Sequence, residues 1–101
     1  DEGEVTLPHA WSLWGYWDAT EGGGEFLLPR GRSADECFVA LPGALSLINM
    51  VKRSRIAEVW LKRWIGDKDA GYWQYVRKVD IGREIRRINK RDYDRKRAKA
   101  V

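Results

Sequence analysis

Ile56-Ala-Glu-Val-Trp-Leu-Lys-Arg-Trp-Ile65, then the turn Gly66-Asp-Lys-Asp69, then Tyr72-Trp-Gln-Tyr-Val-Arg-Lys-Val79, is the stretch on which the fold turns. At 100° per residue Ile56, Ala57, Trp60, Leu61 and Trp64 fall on one arc, while Arg55, Glu58, Lys62 and Arg63 fall mostly elsewhere. That spacing predicts a long amphipathic helix from about Ala44 to Ile65, ended by the Gly66–Asp69 turn. Residues 72–79 read in two ways. Their aromatic and β-branched content favours a strand, whereas Tyr72, Tyr75, Val76 and Val79 recur at helical spacing, and helix is the reading preferred.

Working outward, Ser33-Ala-Asp-Glu36 has the spacing of a capping box, so a helix is expected to start there and to stop or kink near Leu41, ahead of Pro42-Gly43. On the N-terminal side, Pro8, Gly22–Gly24, Pro29 and Gly31 interrupt any period. Val5–Leu7 and Glu25–Leu28 are long enough only for a short pair of edge strands. On the C-terminal side, Asp80 is an N-cap candidate for a stripe of Ile81, Ile85 and Ile88 that dies out after Asn89. The last dozen residues carry charge without an apolar face and are expected to order only on a partner. The expected fold is therefore mainly α: an irregular Trp/Gly-rich arm (1–32), a small helical core (33–79) and a basic C-terminal helix or tail (80–101).

The chain has 101 residues, 44% of them hydrophobic, with six Trp, one Cys and a net charge of +4. That length allows one domain with a modest core. A lone Cys excludes an internal disulfide framework and a Cys-rich zinc site. The longest uncharged run, Cys37–Val51, is 15 residues, short of the ~20 a membrane-spanning helix wants. Starting at Asp1 rather than Met, the sequence reads as processed or excised, and loss of a transit peptide makes a mitochondrion the expected compartment. The charge is unevenly spread. Residues 1–75 carry eight basic and eleven acidic side chains, whereas residues 76–101 carry eleven basic against four acidic, a balance of +7. Such asymmetry points to a polyanion near that end.

The candidate nucleic-acid-binding residues are Arg77, Lys78, Arg83, Arg86, Arg87, Lys90, Arg91, Arg95, Lys96 and Arg97, because guanidinium forks suit phosphate and no base-reading motif accompanies them. Trp11, Trp14 and Trp17, three apart, would share one side of a helical or 3₁₀ turn; they are candidate anchors, docking with Trp60 and Trp64 on a partner protein or stacking on unpaired bases, or else they fold back on Trp60 and Trp64 as a small aromatic core. His9 and Cys37 form the one conceivable nucleophilic pair, with no orienting third group. Asp67-x-Asp69 opens like a calcium loop but fails at its sixth position, Tyr72, and its twelfth, Lys78. No phosphate-cradling Gly-rich loop is present, and neither a metal nor a cofactor is expected.

Val5-Thr-Leu-Pro-His-Ala-Trp-Ser12, followed by Gly15, Asp18, Gly22–Gly24 and Leu28-Pro29, resembles a 25-residue segment of the sugar-binding domain of family 2 glycoside hydrolases. That family usually has Asp where Ala10 stands and continues into a β-sandwich strand; here a helix cap follows, and no residue role is carried over. The expected function is a non-catalytic structural subunit of a large assembly, an RNA-contacting protein of an organellar ribosome foremost. An accessory subunit of a membrane-bound energy-converting complex is the alternative, motivated by Cys37–Val51 bordered by Lys52-Arg53-Ser54-Arg55. The expected partners are other protein subunits and RNA, with contact to a membrane surface in the alternative.

Overall fold

Val59 and Leu61 are buried on one side of their chain segment while Trp60 and Trp64 lie on the other, and this period of two makes Ile56–Gly66 a strand. The computed structural model describes residues 10–100. In it the chain runs through strand β1 (Trp11–Trp17), a 3₁₀ turn (Ala19–Glu21), β2 (Glu25–Gly31), helix α1 (Ala34–Ser46), the short α2 (Met50–Arg53), β3 (Ile56–Gly66), β4 (Gly71–Val79) and α3 (Gly82–Ala100). The four strands form one antiparallel sheet in the order β2-β1-β3-β4. Each half is a hairpin followed by a helix, and the first strand of each hairpin meets the other at the sheet centre, with Leu13 opposite Leu61 and Trp14 opposite Trp60.

The expectation of a mainly α chain is therefore corrected: with about 42% helix and 38% strand this is an α+β fold. The helix expected over 44–65 is instead the end of α1, all of α2 and most of β3, and residues 72–79 are strand, paired with β3 from Val59–Val79 to Gly66–Gly71. The arm expected to be irregular contains the β1–β2 hairpin. Glu25–Leu28 is a strand as far as its own residues go, but it pairs with β1; its expected partner, Val5–Leu7, lies outside the described residues. Pro42 does not end α1, because it sits within the helix and Ser46 Oγ donates to the Pro42 carbonyl at 2.9 Å. At the C-terminus α3 continues through the charged residues to Ala100.

The core lies on one side of the sheet. Leu13, Leu28, Val59, Leu61 and Val79 meet Cys37, Leu41 and Leu45 of α1, together with Ile81 and Ile88 at the root of α3. Ser33 caps α1 by accepting the Glu36 amide at 3.2 Å, while Glu36 reaches back to the Arg32 amide. The first hairpin turns at Gly22, Gly23 and Gly24, whose φ values of 82°, 71° and 91° suit glycine alone without strain. Gly15 is needed for a different reason. The Phe26 ring lies over it, so that a Cβ there would fall 2.2 Å from Phe26 Cζ, and Trp17 stacks on the same ring at 4.1 Å.

One charged side chain ties the helices together. Arg53, 1% exposed, donates through Nε to the Leu45 carbonyl (2.9 Å), through Nη2 to the Ile48 carbonyl (2.6 Å) and Asp92 Oδ2 (3.0 Å), and through Nη1 to Asn89 Oδ1 (2.5 Å). The Leu45 carbonyl is in the last turn of α1 and the Ile48 carbonyl lies just past its end, where backbone acceptors have no partner within the helix. Arg53 thus caps α1 and holds α3 against it.

Candidate nucleic-acid interface

Two surfaces carry chemistry. The first is α3. Its Ile85, Ile88 and Asp92 turn inward, as their burial shows, and at 3.6 residues per turn Arg83, Arg86, Arg87, Lys90 and Arg97 then share about 100° of arc on the opposite side. From Arg83 to Arg97 this stripe is about 21 Å long at the helical rise. Within it Arg87 is paired with Glu84 and Lys90 with Asp94 (3.4 Å). Arg83, Arg86, Arg95, Lys96 and Arg97 are in no ion pair among the described residues. Arg91 donates to Ser46 Oγ at 2.8 Å and lies beside Asp92, so it belongs to the seam with α1. Exposed pairs of this kind contribute little and leave their cations available to a stronger anion.

Two of the expected basic residues are not on this helix. Arg77 and Lys78 are in β4, on opposite sides of the sheet: Arg77 lies over the Phe38 ring at 4.9 Å on the helix side, and Lys78 pairs with Glu58 at 3.2 Å on the other. The strand geometry separates them from the α3 stripe.

The second surface is the face of the sheet away from the helices. Alternation along β1 sends Leu13 and Gly15 into the core and Ser12, Trp14 and Tyr16 to this face. The pairing then adds Trp60, Lys62 and Trp64 from β3 and Trp73, Tyr75 and Lys78 from β4. Glu25, Leu27 and Arg30 complete it from β2. Of the five tryptophans expected to act together, Trp14, Trp60 and Trp64 are here, whereas Trp11 and Trp17 pack on the helix side, against Arg63 and Phe26. Trp73, Tyr16, Tyr75 and Arg30, missed in the sequence reading, belong with the first three. Reading 12-14-16, 60-62-64 and 73-75 at a period of two would have found the tryptophans and tyrosines.

Lys62 stands in the middle of this face. It is 5% exposed, and its ammonium lies over the rings of Tyr75 (4.3 Å), Trp14 (4.7 Å) and Tyr16 (5.3 Å), with Glu25 Oε2 at 3.6 Å. Ring quadrupoles and one carboxylate replace the water the ammonium has lost. Around it Trp14 and Trp64 both meet Trp73 edge to face, at 5.9 and 5.4 Å, and Trp60 meets Tyr75 likewise at 5.3 Å. Arg30 lies over Trp73 at 5.5 Å. The Tyr16 and Tyr75 hydroxyls are 2.9 Å apart. Burial pushes the Tyr16 phenol up, whereas the hydrogen bond from Tyr16 and the Lys62 ammonium pull the Tyr75 phenol down, so Tyr16 is the donor once Tyr75 ionises. Glu58 is held low by the Trp60 indole N–H at 3.2 Å and by Lys78. The Trp14 indole N–H is buried and meets no acceptor among the described residues.

The other sequence candidates fall away from both surfaces. Cys37 is fully buried in the core and burial pushes its thiol up, the opposite of what a nucleophile needs; His9 lies outside the described residues. Asp67 uses Oδ1 to accept the Asp69 and Ala70 amides, closing the β3–β4 hairpin. No cluster of three metal-ligating side chains occurs among the described residues. Cys37–Val51 is divided between α1 and α2, and no helix among the described residues is long and apolar enough to cross a membrane. Compared with known protein families, with characterised proteins and with solved structures, the chain matches none.

Proposed function

We propose that this chain is a non-catalytic structural subunit of a large ribonucleoprotein assembly, and that it contacts RNA by laying α3 along the phosphate backbone. The observation that carries this reading is the α3 stripe, in which Arg83, Arg86, Arg87, Lys90 and Arg97 share the side opposite the core. Cations spaced along a rigid rod meet successive phosphates, release condensed counterions and fix position without reading bases. Arginine outnumbers lysine there, which suits bidentate contact with phosphate oxygens. Tethering through Arg53 and Asp92 supports the same use, since the root of the rod is held against a packed core while its far end stands in solvent. The sequence expectation of a mitochondrial ribosome goes with this proposal as its most specific form.

The test is a variant with Arg83→Gln, Arg86→Gln, Lys90→Gln and Arg97→Gln, titrated against a structured RNA hairpin by fluorescence anisotropy at about 150 mM salt. Its affinity is expected to fall about hundredfold, with unfolding by urea unchanged, since none of the four side chains enters the core. Undiminished affinity would overturn the reading. The runner-up, an accessory subunit resting on a membrane surface, is favoured by Leu47 (89% exposed) and Val51 (63% exposed), which stand in solvent beside Lys52. Flotation with anionic vesicles, without binding to the hairpin, would put that reading first.

A further inference from the structure

We infer that the open face of the sheet is a stacking platform for unpaired bases, and that its occupant is a single-stranded stretch of RNA. This surface lies across the sheet from the helices, and the inference rests on the α3 reading only for the nucleic acid being RNA.

The face is built mainly of flat rings and cations, with Leu27 an exposed aliphatic side chain among them. Trp14, Trp60, Trp64, Trp73, Tyr16 and Tyr75 are half-buried or exposed. They are held by one another rather than by a covering element: edge-to-face pairs at 5.3 to 5.9 Å fix the four tryptophans and Tyr75, and Tyr16 is tied to Tyr75 through their hydroxyls at 2.9 Å. Rings pinned in this way lose little entropy when a base stacks on them, and every base offers a π-face irrespective of sequence. Trp73 and Tyr75 are two residues apart on one strand, a rise of about 6.7 Å, and so are spaced to receive bases from neighbouring nucleotides of an extended chain.

Charge selects among occupants. The two carboxylates of the face are each neutralised, Glu25 by Lys62 and Glu58 by Lys78. Arg30 is left over: it is exposed, in no ion pair among the described residues, and lies over Trp73 at 5.5 Å. A guanidinium on the rim of a ring can bind the phosphate joining two stacked nucleotides. The surplus on the face is therefore positive, as it is for the whole chain at +4. An anionic polymer with flat bases that stack on rings matches both features.

The experiment compares a fluorescently labelled 12-mer of oligouridylate with the RNA hairpin, using the wild-type chain, Trp73→Leu, Tyr75→Leu and the quadruple α3 variant. Each ring variant is expected to lose about tenfold or more in affinity for oligouridylate, and to bind the hairpin as the wild type does. The α3 variant should show the reverse preference, weakened on the hairpin and retaining the single strand. Tyr75, more than half exposed, can be replaced without disturbing the core, and circular dichroism checks each fold. Unchanged oligouridylate affinity in both ring variants overturns the platform. So does a wild-type chain that sediments as a dimer and becomes monomeric on Trp73→Leu. Wild type that binds the hairpin and ignores oligouridylate refutes the platform alone, whereas binding oligouridylate and ignoring the hairpin supports the platform and refutes the α3 reading.

Discussion

Arg53→Ala is expected to remove about 3–5 kcal/mol of stability, a large share of the roughly 5–15 kcal/mol that a small domain holds in all. The side chain is 1% exposed and donates to four acceptors: the Leu45 carbonyl in the last turn of α1, the Ile48 carbonyl just past it, Asn89 and Asp92. Truncation takes this donor from the Ile48 carbonyl and Asn89 Oδ1, leaves the Leu45 carbonyl with the Ile48 amide alone and breaks the ion pair to Asp92, and a buried acceptor left unpaired costs more than the bond it loses. Urea unfolding followed by tryptophan fluorescence measures the loss; a change below about 1 kcal/mol would mean that the helices hold their places without the clamp. Acid should reproduce part of the effect. The hydrogen bond and charge of Arg53 hold the Asp92 carboxyl below its ordinary range. Its contribution is therefore fully present above the unfolded value of about 4 and is lost as pH falls through the lower folded value. In Arg53→Ala that acid-dependent component should shrink to what the charges of Arg91 and Arg95 still supply.

Lys62→Ala is expected to cost about 3 kcal/mol, the second largest effect of a single change. The ammonium is attracted by three rings at once and by Glu25, and its stem fills the middle of the face. Lys62→Met keeps the stem and discards the charge, so it should lose roughly half as much; its own loss measures the electrostatic part, and the further loss in alanine measures the packing of the stem. Both should red-shift tryptophan emission as Trp14 gains water. If alanine and methionine are equally damaging, the charge dominates. If neither destabilises the chain, the rings hold one another without their central cation.

The two surfaces were unequally legible in the sequence. The α3 stripe could be read from Asp80 onward, because Ile81, Ile85 and Ile88 repeat at helical spacing and the charges fall opposite. The Ser33 cap and the turn at Gly66–Asp69 were equally visible, since their chemistry is local, whereas Gly22–Gly24 showed only as an interruption of the arm. The sheet was hidden by its own outer face. In β3 the inward Val59 and Leu61 alternate with outward Trp60, Lys62 and Trp64, so apolar residues occur on both sides and the period of two disappears from a hydrophobicity count. What remains, Ile56, Ala57, Trp60, Leu61 and Trp64, imitates a helical arc. In β1 the three-residue spacing of Trp11, Trp14 and Trp17 suggested one shared side, whereas a strand sends 11 and 17 one way and 14 the other. The stronger signal was composition: Ile, Val, Trp and Tyr crowd residues 56–65 and 72–79, and such residues suit a pleated surface better than a helix. Arg53 gave no local sign, because its partners come from positions as far along as Asn89 and Asp92.

The claim that α3 lies along RNA is tested most directly by the salt dependence of hairpin binding, measured by anisotropy for the wild type between about 50 and 300 mM KCl. With five α3 cations on phosphates, log K should fall linearly with log salt at a slope of about −4, and the quadruple glutamine variant should flatten the line by about 3 to 4. A slope near zero, or one that the variant leaves unchanged, would contradict the account.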